Sequence, residues 1–445
     1  MTDDLTEALI LGDRAYTHPF GIAALVIGCA VILFGRRPQV IFGVLIFIFA
    51  IPSAQRIVIF SLDFSFLRIV ILITIFRAFV KGDHATWKIT GPDKILFWWA
   101  IWGIVAYGFL LENFGAVLTR TGFMVDAVGS YLVGRIYMST WGEIKRVIVF
   151  LGWMAFPILV FFLVERATGR NMFSVFGGIN EITLVREGKL RCQGPFSHPI
   201  MAGAFWASVL LWFAALWQRK ETSRFVLILM TTAVMLIIIN TASSTPVMAV
   251  LLGATGVLYF RYRNTLTAVR WIALFTLIAA QILMEKGAAH LLARVNILAG
   301  STGWHRYHLI DEWMKHFGEW WLFGTRSTGH WGLGLEDVTN QFVLESVRGG
   351  VVGFILFSMF LISLFGLIGR GIKASENSEE KFILWCGGVV LFVHTFSFIS
   401  VSYFGQMVAS FFLFSGAIAS LSMAHISRTA TENGKATKNK QAVPF

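Results

Sequence analysis

The sequence predicts an all-α, polytopic helical membrane protein, and three observations carry that reading. Of its 445 residues, 56% are hydrophobic and only 14% are charged, roughly half the charged share of a soluble domain. Aromatics are abundant, with Phe 42 and Trp 16, and the mean hydropathy is +0.70. The apolar residues come in unbroken runs of helical length instead of alternating with polar ones, which excludes an outer-membrane barrel. Helices are the remaining way to satisfy a backbone inside hydrocarbon. A soluble globular enzyme, a disordered chain and a fibrous protein are excluded by the same figures.

In chain order, apolar runs begin near residues 18, 39, 64, 94, 118, 146, 199, 223, 246, 269, 350, 381 and 402. That pattern predicts about 12–13 transmembrane helices. Pro52 and Asp63 interrupt the second and third runs, and Asp126 and Arg135 lie inside the 118–138 segment. The N-terminal stretch MTDDLTEALILGDRAYTHP is acidic and lacks the basic start of a signal peptide, so the first span is expected to be retained. Cys29, Cys192 and Cys386 are too few and scattered for a disulfide framework or a zinc site.

The net charge of +12 is read as topology and not as a nucleic-acid surface, because no basic stripe interleaved with aromatics lies outside the spans. Arg36-Arg37, Lys81 to Lys94, Lys145-Arg146, Arg219-Lys220, Arg261 to Arg270, Arg370 to Lys381 and the tail after Arg428 fall on alternate sides of consecutive spans. With those loops cytoplasmic, residues 1–428 form one membrane domain, and 429–445 is a disordered, basic cytoplasmic tail. Segments 166–198, 240–245 and 286–349 then face outward. The last is too long, and too rich in Trp, His and Gly, for a connector, and it is expected to be partly helical.

Outward arginines run against the topological rule, so Arg186, Arg191, Arg294, Arg306, Arg326 and Arg348 need another purpose. A guanidinium offers a planar fork of donors for phosphate oxygens and stays charged when partly buried. Taken singly, each arginine is better accounted for by lipid headgroups or by pairing with Glu181, Asp311, Glu312 and Asp337; as a set they point to an anionic ligand. Arg191-Cys192-Gln193-Gly194-Pro195-Phe196-Ser197-His198-Pro199 stands directly before a span. The Gly-Pro pair makes a turn, Pro199 suits a first helical position, and the helix start presents unsatisfied N–H groups to an anion.

This R-x-x-G-x-F-x-H-P run resembles the signature of the bacterial O-antigen ligase and Wzy-type polysaccharide polymerase superfamily. Two further landmarks follow in the family's order. Thr241-Ala242-Ser243-Ser244-Thr245-Pro246 stands where the family often has Ser-Arg. The long loop carries Arg306, Trp313 and Leu322-Phe323-Gly324, then Asp337 to Glu345, with Gly349-Gly350 leading into the next span. The resemblance covers roughly residues 145 to 425. It implies a GT-C-like fold in the bacterial inner membrane, with a metal-independent, cofactor-free, inverting glycosyltransferase site facing the periplasm. The substrate it implies is an undecaprenyl-diphosphate-linked oligosaccharide, and other polysaccharide-assembly proteins are the implied partners.

Carried over by position, Arg191 binds the diphosphate, supported by Arg306, Arg294 and His198. Two departures matter: the Ser-Arg arginine is absent, and Thr339 replaces the histidine that activates the acceptor hydroxyl. Candidates for that base are Asp337, Glu345 and His330, although Asp337 equally suits the N-cap of the helix starting near Thr339. Asn340, Trp304 and Trp331 are candidate acceptor or sugar contacts. A polymerase is favoured over a ligase because the loop is modest and the histidine is missing. A metal site on His305, His308, Glu312 and His316, which share a helical face, is the sharpest rival. A lipid-linked glycan transporter is the alternative outside the enzymes.

Overall fold

The structure is a computed structural model that describes residues 16–59, 62–284 and 303–441. Each of the expected apolar runs falls on a helix: α1 (Pro19–Phe34), α2 (Arg37–Phe49), α3 (Phe66–Val80), α4 (Gly91–Leu111), α5 (Phe114–Tyr137), α6 (Trp141–Thr168), α7 (Pro199–Arg219), α8 (Arg224–Asn240), α9 (Ser244–Leu258), α10 (Leu266–Leu283), α13 (Gln341–Ala374), α14 (Ser378–Ser397) and α15 (Gln406–Gln441). The long loop adds α11 (Gly303–Lys315) and the single turn α12 (Phe317–Trp320). Two hairpins, β1 (Arg56–Ile59) with β2 (Leu62–Ser65) and β3 (Leu184–Arg186) with β4 (Lys189–Arg191), are the strands of the described residues.

Among the described residues, seven helices are long and apolar enough to cross a membrane, with α9 and α10 counted as one; α1, α2 and α8 are apolar but shorter. The expected twelve to thirteen crossings therefore reduce to seven on this criterion, for local reasons. α9 and α10 are joined by a 3-10 segment, Tyr259–Thr265, with a non-helical Tyr262, where the sequence suggests a loop. Pro52 and Asp63 fall around the β1–β2 hairpin, so the second and third runs are cut to 13 and 15 residues. α5 misses the apolarity criterion because it carries ions, yet those ions are matched inside the bundle. Arg135 pairs with Asp93 at 3.0 Å, and Arg68 pairs with Asp126 at 2.8 Å. The Arg135 guanidinium also reaches Ser420 and the Lys88 carbonyl, and Tyr131 donates to Asp93 at 2.6 Å. A buried ion pair with this many hydrogen bonds fixes helix register more than it adds stability, although Arg135 Nε has no hydrogen-bond partner among the described residues.

α15 packs along α5 and α13, and α13 packs along α4, while α7 is enclosed by α8, α9 and α14. The closest approach in the first of these is made by glycine. A Cβ on Gly134 would run into the Leu413 carbonyl, and one on Gly416 into that of Tyr131. Without a hydrophobic drive between helices in lipid, such small-residue contacts supply the packing energy. α15 continues past Arg428 to Gln441, through the polar stretch that composition reads as a disordered tail. Extension from a formed helix needs no new nucleus.

The basic loops meet at one end of the bundle. Arg37 pairs with Glu143, Lys145 and Arg219 with Glu221, Arg219 with Glu379, and Arg428 and His425 with Glu380. The segments read as outward gather at the opposite end. There Arg326 bonds the Leu110 carbonyl and Glu112, Gln55 bonds the Phe176 carbonyl, and Gln406 bonds those of Ile51 and Pro195. The alternation of basic loops thus corresponds to real spatial segregation.

Gly416→Val is expected to destabilise the protein by about 1–3 kcal/mol through forced separation of α5 and α15. Gly366→Ala, where the added Cβ meets open space, is the matched control. Thermal unfolding in detergent checks both, and a wild-type midpoint for Gly416→Val would refute the close crossing.

Candidate functional site

The β3–β4 hairpin turns through Glu187 (φ 52°) and Gly188 (φ 72°), both left-handed, which matches a two-residue turn to the twist of its strands. Its register pairs Leu184 with Arg191 and Arg186 with Lys189. Because side chains alternate along a strand, Arg186, Lys189 and Arg191 all project from one face. Like charges directly opposite one another are unfavourable unless something neutralises them. The hairpin is therefore built as a cationic face.

Beyond Arg191 the chain makes the Gln193-Gly194-Pro195 turn, and a single carboxylate organises it. Glu165, buried near the end of α6, accepts from the backbone N–H of Gln193 (3.1 Å) and of Gly194 (2.9 Å) and from the Thr183 hydroxyl (3.2 Å). Gly194 has φ +56°, and a Cβ there would press on the Phe162 ring. Asn171 Nδ2 donates to the Gly194 carbonyl at 2.8 Å, and the Cys192 N–H donates to the Asn240 carbonyl at 3.0 Å. Arg191 then reaches Ser243 Oγ at 2.9 Å, inside the outward turn between α8 and α9. Ala242 in that turn has φ +44°, a left-handed conformation that costs a β-carbon residue of order 1 kcal/mol and is held by its surroundings.

His198 ends the run as the N-cap of α7, its Nδ1 accepting from the Ile200 N–H at 3.1 Å. That bond leaves the proton on Nε2, which becomes a donor. Burial pushes the imidazole pKa down to about 3, helped by the charges of Arg191 and Arg186. α11 delivers Arg306, whose pKa is lowered by burial and then by Arg186, and whose Nε is buried without a hydrogen-bond partner among the described residues. Arg186 thus acts on both His198 and Arg306, and two segments remote in sequence, 186–198 and α11, contribute to one electropositive site.

A carboxyl group lies near His305 on α11. Burial raises the Asp337 pKa, and the charge of His305, the neighbour of Arg306 on α11, opposes the rise. His305 Nε2 lies 3.4 Å from the Asp337 carbonyl oxygen. Trp304, at the start of α11, is 60% exposed; it stacks on His308 with centroids 6.2 Å apart and planes 11° apart and also meets the Tyr307 ring. Arg186 thus links His198, which Arg191 also faces, to Arg306, while Asp337 meets α11 at His305 and Trp304 stands at the start of that helix.

The other candidates are engaged elsewhere. Asn340, and not Asp337, caps α13, its Oδ1 accepting from Phe342 and Val343 while its amide donates to the Ile399 carbonyl. Glu345 is turned into the bundle, where Trp99 Nε1 (2.9 Å) and Gln341 Nε2 (2.8 Å) bond it and Arg120 lies 3.8 Å away. It lines a cavity of about 10 Å³ among Trp99, Phe123, Tyr403 and Phe411, room for roughly one water. His330 and the Trp331 indole both bond Glu319, at 2.8 and 3.0 Å. Arg294 lies outside the described residues.

The helical face proposed as a metal rival is laced by ion pairs. Glu312 faces His308, Lys315 and His316, and Lys315 also pairs with Asp311. Among the described residues no group of three His, Cys, Asp or Glu could hold a metal ion.

Sequence reasoning missed Glu165 altogether and weighed His305 only as a metal ligand. A lone carboxylate at the end of an apolar run was the available signal for the first. The second depends on a contact with Asp337 that no local pattern announces. Compared with known proteins, the chain matches no family model and no curated sequence.

A pH prediction follows from His198. Its folded pKa of about 3 lies below the ordinary 6.5, so the unfolded chain binds a proton that the native state refuses. The contribution is complete above pH 6.5 and is lost as pH falls toward 3, at up to about 1.4 kcal/mol per pH unit. In His198→Asn the amide still caps α7, and thermal midpoints measured from pH 7 to 4.5 should fall less steeply than wild type. Parallel profiles would refute a buried neutral His198.

Proposed function

We propose that this protein is a multi-pass membrane glycosyltransferase that polymerises lipid-diphosphate-linked oligosaccharide units, as a Wzy-type polymerase does, into an exopolysaccharide or O-antigen. The observation that carries the reading is that Arg186 acts both on Arg306 and on neutral His198, which Arg191 also faces, with Asp337 near His305 on the helix that carries Arg306. It fits the chemistry part by part. A lipid diphosphate leaves readily once its developing charge is neutralised, and preorganised guanidinium groups do this without solvent reorganisation. The acceptor hydroxyl attacks the anomeric carbon from the side opposite the diphosphate. The C–O bond to phosphate breaks, its electrons leave with the lipid diphosphate, and the hydroxyl proton passes to Asp337. Inversion follows from that single displacement.

Asp337 suits the base because burial lifts its pKa toward the working range. It takes precedence over Glu345 and His330, whose side chains are committed to Trp99 and Gln341 and to Glu319. Trp304 offers a face for a sugar ring, as aromatic platforms do. In the cell the reading places the protein in the bacterial inner membrane, site toward the periplasm, working with undecaprenyl-diphosphate-linked oligosaccharide and other assembly proteins. A ligase would use the same donor half of this site and differ in its acceptor. A transporter fits less well, because the intramembrane ions Asp93, Arg135, Arg120 and Glu345 are spent on each other.

Purified protein given a lipid-diphosphate oligosaccharide should produce a ladder of lengthened glycans. Arg306→Ala and Arg191→Ala should each reduce kcat/KM by about 10²–10³, and Asp337→Asn should lower kcat by about 10²–10⁴ with little change in KM. Full activity in Arg306→Ala, with the protein correctly inserted, would refute the anion site. Transfer of one unit to a second acceptor without chain growth would select the ligase reading.

A further inference from the structure

An apolar groove lies between the long loop and α13. Trp313, Met314 and Phe317 form one wall, Phe354 and Ile355 on α13 form the other, and Trp320 closes it, around a volume of about 340 Å³. The indole groups are satisfied within the protein: Trp313 Nε1 donates to Ser346 Oγ at 2.8 Å, and Trp320 Nε1 to the Trp313 carbonyl at 2.7 Å. The lining therefore asks for no polar partner.

The groove is a built feature. α13 breaks at Gly350, where φ is +62°, and a Cβ there would collide with the Leu322 carbonyl. The loop is stitched to that break by two backbone bonds, Val351 N–H to the Trp321 carbonyl and Thr325 N–H to the Val347 carbonyl, both 2.9 Å. These bonds hold α12 beside the start of the long apolar part of α13.

We propose that this groove receives the hydrocarbon chain of a polyisoprenyl diphosphate, the same molecule whose diphosphate the arginine site holds. The proposal rests on the functional reading above and adds where the donor's tail lies. Two observations name the occupant. First, the groove runs into an exposed apolar stripe on α13, Val352, Ile355, Met359 and Ile362, at helical spacing on a candidate membrane span. A chain leaving the groove enters lipid without crossing water. Second, Arg306 and Trp313 both lie on α11, seven residues apart. Seven residues are close to two turns, so the two side chains share one face about 10 Å apart. One helix thus presents a cation for the headgroup and a wall for the tail, the complementarity an anionic lipid offers and bulk neutral lipid lacks.

The test uses full-length protein in phospholipid nanodiscs, with photoreactive benzoylphenylalanine introduced at Met314 and radiolabelled undecaprenyl diphosphate as the probe. Crosslinking that unlabelled undecaprenyl diphosphate displaces, and that excess phospholipid does not, is the expected result. Crosslinking abolished equally by phospholipid, or absent while an Arg306-dependent binding signal persists, would overturn the groove. As an independent arm, Ile355→Trp narrows the groove at a position already 45% exposed. It should raise the ratio of KM for an undecaprenyl-linked donor to that for a farnesyl-linked donor by about tenfold, as expected for losing burial of a few methylenes. An unchanged ratio would overturn it. If no donor is turned over but displaceable crosslinking remains, the glycan-transfer reading fails and the lipid site stands.

Discussion

The Glu165 carboxylate, held at the end of α6, accepts the backbone N–H groups of Gln193 and Gly194 and the hydroxyl of Thr183, and the geometry of the anion site descends from that contact. The turn it organises lies at the foot of α7, enclosed by Phe162, Asn171 and Gln406. Backbone donors there cannot be left to solvent, since each unmet group costs roughly 1–3 kcal/mol. A carboxylate with three donors and no cation meets them and uses up its own charge locally. The turn is thus satisfied by this carboxylate and not by the arginines of the hairpin face. Gly194 fits because its left-handed φ and missing Cβ let the turn close against Phe162, and His198 inherits its place as helix cap from the length of that turn.

A second set of buried polar contacts serves the scaffold. Asp93, Tyr131, Arg135 and Ser420 tie α4, α5 and α15 together, and Glu345, Trp99, Gln341 and Arg120 tie α13 to α4 and α5. Ions buried in a span are expensive unless matched, so their pairing specifies which helices are neighbours and at what height. Glycine then sets how close those neighbours come, at Gly134 and Gly416. Site and scaffold share one device, in that every buried charge on α5 is spoken for, while the charges of the hairpin and α11 are concentrated.

Hydropathy made the helices legible, with each apolar run landing on one, and Lys and Arg placement made the two ends legible. Both are properties of local sequence. What escaped was non-local. The 118–138 segment looks poor as a span because Asp126 and Arg135 are visible in sequence while their partners Arg68 and Asp93 are not recognisable as such. Asp337 and Asn340 are both capping residues three positions apart, and only the fold decides that Asn340 takes the cap and leaves Asp337 its carboxyl. The break at Gly350 is foreshadowed by the Gly349-Gly350 pair, yet the helix resumes after it, so the element starts at Gln341 where hydropathy puts its start near 350. The arginine site was legible as an excess of charge on the wrong side, but its members could not be sorted. Arg326 is spent on Glu112 and the Leu110 carbonyl, whereas Arg306 comes within electrostatic range of Arg186, on a hairpin more than a hundred residues away.

The neutrality of His198 is what makes that excess usable. A cluster with a third or fourth full charge at the head of α7 would repel itself before any ligand arrived, and at short range in a partly desolvated site each like-charge contact is worth several kcal/mol. Burial instead keeps the imidazole uncharged well below neutral pH, and the Nδ1 cap bond turns its remaining N–H outward as a donor. The helix start adds partial positive charge without a counterion of its own. Arginine charge, a neutral donor and a helix terminus therefore combine to favour an anion spread over several oxygens, with less self-repulsion than the same donors would bring as cations. A diphosphate is such an anion. The groove two turns along α11 then supplies what a soluble diphosphate would not need, and that pairing of headgroup and tail is the strongest physical reason to look for the ligand among lipids.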